Sequence, residues 1–200
     1  MLIPVLFAFL ASCNATNHTP KPDSPVNVIR PSHLSAEQQE IIDLLSVSGN
    51  QELMLFDFDT VEAYKDIEVW VEIYRDGALV DRPAGVGTHS NTAEKHNGHL
   101  AITVNLIDSK FQWILSLIEN GAKSGHIGST EAPAESGLAR AYGPIGESVE
   151  IEDGKEMILY SSVFSGNDFL AFYDGVTLQE RPELLREYPY VYLVKAKFAK

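Results

Sequence analysis

Beyond residue 75 the chain is punctuated by five Asx-Gly pairs: Asp76-Gly77, Asn97-Gly98, Asn120-Gly121, Asp153-Gly154 and Asp174-Gly175. These residues tolerate the positive φ of tight hairpin turns, and most of the pairs stand between runs rich in strand-forming residues. Ile67, Val69, Val71 and Ile73 alternate with Glu68, Trp70, Glu72 and Tyr74, and Leu100, Ile102, Val104 and Leu106 alternate with Ala101, Thr103 and Asn105. Successive strand residues point to opposite faces, so each run offers one face to a core and leaves the other partly covered. Strands are expected near 52–58, 67–75, 78–82, 99–107, 110–118, 122–127, 146–152, 155–164, 168–173 and 188–198. Stacking two sheets is the simplest way to bury so many one-sided strands. The expectation is therefore an all-β fold, an antiparallel β-sandwich of about eight to ten strands, with a closed barrel as the alternative.

One helix is expected ahead of the strands. Ser35-Ala36-Glu37-Gln38 fits a capping box, and Ile41, Ile42, Leu44 and Leu45 give the following turns an apolar side to pack on the edge or end of the sandwich. Residues 35–200 then form a single domain. Fifteen Lys and Arg against 28 Asp and Glu give a formal charge of −13, which repels a phosphate backbone and excludes nucleic acid as the expected partner. A lone cysteine, Cys13, makes no internal disulfide and excludes multi-cysteine metal and redox motifs.

That cysteine follows an uncharged apolar run, MLIPVLFAFL, of signal-peptide length and too short to span a bilayer as a helix. The junction Leu10-Ala11-Ser12-Cys13 resembles the lipobox of bacterial lipoprotein precursors. The resemblance implies that Cys13 receives a diacylglycerol and becomes the first residue of the mature chain after cleavage. Residues 1–12 are then a signal peptide, and 13–34, rich in Asn, Thr, Pro, Lys, Asp and Ser, a lipidated flexible tether. The expected location is extracytoplasmic, at a cell membrane reached through the lipid alone, because so acidic a domain is repelled by anionic headgroups.

Several constellations invite chemistry. Leu53-Met54-Leu55-Phe56-Asp57-Phe58-Asp59-Thr60-Val61 is similar to the first motif of the haloacid-dehalogenase-type phosphotransferases. That likeness implies Asp57 as the nucleophile on phosphorus, Asp59 as acid/base and a magnesium ion between carboxylates. The family alternates strands with helices, whereas hairpins follow here. The plainer reading is that Asp59 or Thr60 caps a short helical turn over Val61–Asp66, with Glu62 as reciprocal partner. His89, His96 and His99 lie close together in sequence, with His126 on another strand end; a loop bending them together would favour zinc, and solvated histidines are the plainer reading. A metal-dependent hydrolase using Asp57 and Asp59 or the His89, His96 and His99 cluster is the alternative function.

Trp70 and Tyr74 beside Glu68 and Glu72 suit a sugar-stacking or cation-binding strand face, or else pack under a loop or helix. Tyr188, Tyr190 and Tyr192 put three rings on one side of the last strand, whose Lys195, Lys197 and Lys200 read as guards of a sheet edge. The connections Gly87–Gly98 and Gly128–Gly146 are longer than hairpins need, and long loops often carry function. Arg140 and Tyr142 are the large contact-type side chains of the second, with His89 and His96 alongside if the loops share an end. The expectation is a lipid-anchored binding or accessory module of the bacterial cell envelope, without a cofactor, that meets an envelope protein or other surface ligand.

Overall fold

The computed structural model describes residues 27–45, 51–91, 95–135, 137–166 and 171–200. The alternating runs become two antiparallel sheets of six strands each, an all-β sandwich. The first sheet holds β1 (Val28–Pro31), β2 (Gln51–Ala63), β6 (Lys95–Ile107), β7 (Lys110–Glu119), β8 (Ala122–Glu131) and β10 (Val149–Glu150), in the order β10-β1-β2-β6-β7-β8. The second holds β3 (Asp66–Arg75), β4 (Ala78–Asp81), β5 (Gly85–His89), β9 (Ala139–Pro144), β11 (Glu156–Ser165) and β12 (Tyr190–Ala199). Its order is β4-β3-β12-β11-β9, with β5 also paired to β3.

Period two decides what enters the core. Phe56 and Phe58 of β2, Leu100, Ile102 and Val104 of β6, and Phe111, Trp113, Leu115 and Leu117 of β7 face Ile67, Val69, Val71 and Ile73 of β3 and Tyr192, Val194, Ala196 and Phe198 of β12. Tyr192 meets Phe111 at 5.4 Å and Trp113 at 5.9 Å between ring centroids, both edge to face, which adds a directional term to plain area burial.

A second apolar cluster lies on the far side of the second sheet. Between β11 and β12 the chain forms α2 (Gly175–Glu180) and a 3₁₀ helix (Pro182–Glu187). Leu178, Leu184, Leu185 and Tyr188 there cover Ile158, Val163, Val191 and Leu193, so β11 and β12 are buried on both faces. The strand expected over 168–173 is not formed by its described residues, and Asp174-Gly175 starts a helix. The Asp174 side chain accepts from Thr177 N at 2.8 Å, and a Cβ at Gly175 would stand 2.6 Å from the Ile158 carbonyl oxygen. Asn97-Gly98 likewise lies inside β6, where a Cβ would meet the Ile118 carbonyl and the Phe58 ring at 2.2 and 2.4 Å. Asp76-Gly77 and Asn120-Gly121 do make hairpin turns, with φ of 51° and 78° in the first and 46° and 83° in the second.

Other expectations are corrected. β1 is a strand inside the segment read as tether; it pairs with both β2 and β10, and Asn27 Oδ1 accepts from Val61 N and Glu62 N at 2.8 and 3.1 Å. Those bonds keep residues 61–63 extended, so the helical turn over Val61–Asp66 is replaced by the end of β2. Parts of both long connections are strands, β5 and the end of β8 with β9. The last strand is central, between β3 and β11, so its lysines do not guard an edge. Tyr188 precedes that strand and packs in the second cluster, away from Tyr190 and Tyr192.

The helix α1 (Ala36–Leu45) carries the expected capping box: Ser35 N donates to Gln38 Oε1 at 2.8 Å and Gln38 N to Ser35 Oγ at 3.2 Å. Its apolar side is not packed on the sandwich, for Ile41 is 52% and Leu44 67% exposed. Among the described residues no helix is long and apolar enough to cross a membrane. Cys13, the signal segment and the start of the tether lie outside the described residues.

Candidate functional site

The outward face of β3 is only half covered by the helical segment, and the boundary falls at Glu72. Register sets Trp70 between Gly85 of β5 and Lys195 of β12, and Glu68 between Gly87 and Lys197. Glu156 and Ile158 of β11 continue the two rows beyond Lys197 and Lys195. Glu72, 1% exposed, accepts from Tyr74 Oη at 2.6 Å, Arg82 Nη2 at 2.5 Å, Trp70 Nε1 at 3.0 Å and Lys195 Nζ at 2.7 Å. Burial alone would raise its pKa, but the hydrogen bonds from Lys195, Tyr74 and Trp70 outweigh that effect and lower it to about 2.

A carboxylate taken out of water is costly, and an apolar residue of similar shape would often leave a protein as stable. What Glu72 supplies is position. It fixes the indole edge of Trp70, the Arg82 guanidinium and the Lys195 ammonium in one arrangement. Beside them lies a solvent-open groove of about 490 Å³, lined among others by Glu68, Trp70, Arg82, Gly85, Glu156 and Lys197. Gly85 and Gly87 are exposed and leave its floor bare, while Val86 between them packs against the core. Of the face expected from sequence, Tyr74 and Glu72 are thus held under the helices, and Trp70 and Glu68 stay at the opening. Arg82, Gly85 and Glu156 stand in none of the sequence motifs, and Gly87 enters only as the head of a long connection; the strand register that gathers them is not a local signal.

A second, smaller cleft of about 280 Å³ opens on the outer face of the first sheet, between Arg30, Asp57, Asp59 and His99. Here the structure joins two motifs that are far apart in sequence. Asp57 Oδ1 accepts from Ser32 Oγ at 2.7 Å and from His99 Nδ1 at 2.8 Å, and Asp59 pairs with Arg30 at 2.8 Å. Burial pushes the Asp57 pKa up, and the bonds from Ser32 and His99 more than reverse this, leaving it below the ordinary value. Ser32 bonds to the carboxylate and not to the imidazole, so the trio is not wired as a serine nucleophile with its base.

The histidines diverge. His96 and His99 are three residues apart on one strand and therefore face opposite sides of the sheet. His96 is buried: Nε2 meets the Tyr64 carbonyl at 2.5 Å, Nδ1 contacts the Glu119 carboxylate, and its backbone N donates to Thr60 Oγ1 at 2.9 Å. His89 is exposed and pairs with Asp66 at 2.7 Å, and His126 Nδ1 lies 2.7 Å from Gly85 O and 3.0 Å from Gly85 N, linking β8 to β5. Among the described residues no three or more His, Cys, Asp and Glu side chains gather where an ion could sit.

Arg140 and Tyr142 occupy the edge strand β9. Arg140 binds Glu52 at 2.5 Å, Ser162 Oγ at 2.7 Å and Tyr160 Oη at 2.8 Å, and stacks 4.4 Å from the Tyr142 centroid. Tyr142 is 51% exposed. Glu52 lies near the start of β2, whereas Thr60, the backbone partner of His96, lies near its end. The two connections therefore do not share an end, and His89 and His96 are not brought to Arg140 and Tyr142.

A family model for the YgaN domain matches residues 28–198, from the first residue of β1 to within β12. The chain belongs to the YgaN domain family. Both sheets, the Trp70 groove and the Asp57 cleft fall inside the YgaN domain, and Cys13 falls before it. No curated protein and no solved structure matches the chain.

Proposed function

We propose that this chain is a lipid-anchored binding module of the bacterial cell envelope: Cys13 carries the lipid, the residues before β1 tether the fold, and the YgaN domain captures an extracytoplasmic ligand in the Trp70 groove. The observation that carries the reading is the buried Glu72, which holds two groove-lining groups, the Trp70 indole and the Arg82 guanidinium, in place before any ligand arrives. Pre-setting contact groups reduces the ordering cost of association, so it favours recognition at this face. The anchor is supported by the Leu10-Ala11-Ser12-Cys13 junction and by its separation from the matched domain.

The test has two parts, both in a bacterial host. Cys13→Ser is expected to abolish lipid labelling and move the protein out of the membrane fraction; unchanged labelling and fractionation contradict the anchor. Trp70→Ala is expected to reduce co-purification of the bound envelope component while the fold persists; undiminished co-purification removes the groove from the function.

The Asp57–His99 dyad favours a second reading, a hydrolase. A carboxylate on Nδ1 leaves Nε2 of a neutral imidazole as a proton acceptor, the arrangement of a general base. Phosphatase activity with magnesium that is lost in Asp57→Asn would establish it, and absence of turnover would remove it.

A further inference from the structure

We infer that the Trp70 groove is a saccharide site, taking an uncharged, extended sugar chain that lies along the bare strand at Gly85 and Gly87, with a pyranose face against Trp70. This deepens the binding-module reading, on which it rests, by naming the ligand class.

The first ground is charge. Each charged group that lines the groove comes already matched: Arg82 with Glu72, Glu156 with Lys195 at 3.0 Å, and Glu68 with Lys197 at 3.5 Å. Three carboxylates stand against three cations, so no surplus charge awaits an ion of either sign. Arg82, whose guanidinium carbon lies 6.0 Å from the Trp70 ring centroid, already supplies a cation to one face of the indole, and the sugar is assigned to the other. Yet the heads of Glu68, Glu156 and Arg82 are substantially exposed and keep unused hydrogen-bonding capacity. Paired, planar groups with spare donors and acceptors suit hydroxyls, which give and accept hydrogen bonds without bringing charge.

The second ground is shape. A pyranose has one flat, weakly polar C–H face, which an indole can cover, and it needs a surface free of projecting side chains. Gly85 and Gly87 provide that surface next to Trp70 and Glu68, for they are the outward positions of β5. Neither has a left-handed φ, and a Cβ at Gly85 would meet Trp70 Cβ at 3.6 Å, an ordinary contact. The backbone does not demand glycine at Gly85; an open floor beside the indole does. The cavity is within the range of roughly 300–1,000 Å³ usual for small-molecule sites, and it is open to solvent, which suits a chain passing through.

The protein supplies its own reporter. It has two tryptophans, and Trp113 is fully buried in the core, so quenching of the emission by acrylamide reads Trp70. The probes are chitohexaose and maltohexaose as neutral glycans, with tetramethylammonium and inorganic phosphate as the ionic arms. The expected result is that at least one glycan lowers the quenching constant by about two-fold, as burial of most of the ligand-facing surface implies. Gly85→Val, whose Cβ makes only ordinary contacts with Trp70 Cβ and the Val69 carbonyl, fills the floor and should abolish the protection while leaving the melting temperature unchanged. Equal protection in Gly85→Val overturns the inference, as does protection by an ionic probe alone. If no glycan protects Trp70, cross-linking in cells from a benzoylphenylalanine at position 68 separates the failures. A cross-link there leaves a binding groove with another ligand class; none removes both readings.

Discussion

Arg140→Ala is expected to weaken the fold, because the guanidinium joins the two sheets at one end of the sandwich. Its partner Glu52 is on β2, while Ser162 and Tyr160 are on β11, and the Arg140 and Glu52 side chains are only 20% and 15% exposed. Truncation leaves the Glu52 carboxylate with Tyr160 Oη, 2.6 Å away, and strips the Phe111 ring of the guanidinium 4.7 Å from its centroid. Removing one partner of a buried pair costs about 3–5 kcal/mol. Residual solvent access and the remaining Tyr160 bond place this case near the lower end, at about 3 kcal/mol. For a domain of this size each kcal/mol moves the melting temperature by roughly 2–4 °C, so a fall of about 6–12 °C is expected. Tyr142→Ala, at an exposed position, should cost less than about 1 kcal/mol. Urea unfolding followed by fluorescence and circular dichroism gives the values, and a cycle with Glu52→Gln should show a strongly sub-additive double mutant. An Arg140→Ala protein within about 1 kcal/mol of wild type, or full additivity with Glu52→Gln, would refute the reasoning.

Three further outcomes follow from the geometry. The folded-state pKa of Glu72, about 2, lies below its ordinary value of 4.5, so its contribution is complete above 4.5 and is lost as pH falls through about 2. Glu72→Gln should flatten the acid limb of stability in that window, and an unchanged limb would count against the network. His96→Ala leaves the Tyr64 carbonyl without the imidazole and Glu119 with Thr88 alone, and should cost about 1–3 kcal/mol by denaturant unfolding. Gly128→Ala places a Cβ 2.0 Å from the Pro83 carbonyl oxygen, so β8 must move away from the segment before β5; calorimetry should record a loss of about 1–3 kcal/mol.

Sequence carried the sandwich because alternation is a local signal that a core then obeys, as Ile67 to Tyr74 demonstrate. It carried the start of α1 for the same reason, since Ser35 and Gln38 satisfy each other without help. The apolar side of that helix was equally visible, but where it would pack is a long-range matter. Asx-Gly pairs were ambiguous: a glycine required by positive φ, as at Gly121, reads like one required by a close neighbour, as at Gly98 and Gly175. β5 and β9 were hidden because strands rich in Gly, Ala and Pro lack apolar alternation. Of the groove, Trp70 and Glu68 were legible from period two. Their neighbours Arg82, Gly85, Glu156 and Lys197 come from other strands and needed the register. The Asp57–His99 contact is also a matter of register, since β2 and β6 set those residues directly opposite each other.

The central claim is that the Trp70 face is where this protein meets its ligand. Benzoylphenylalanine placed at Glu68 in the groove, and separately at Thr103 on the outer face of the first sheet, tests it in living cells by photo-cross-linking. An adduct from position 68 that disappears with Gly85→Val, and none from position 103, is the expected result. Adducts from position 103 alone, or an adduct from position 68 undiminished by Gly85→Val, would contradict it.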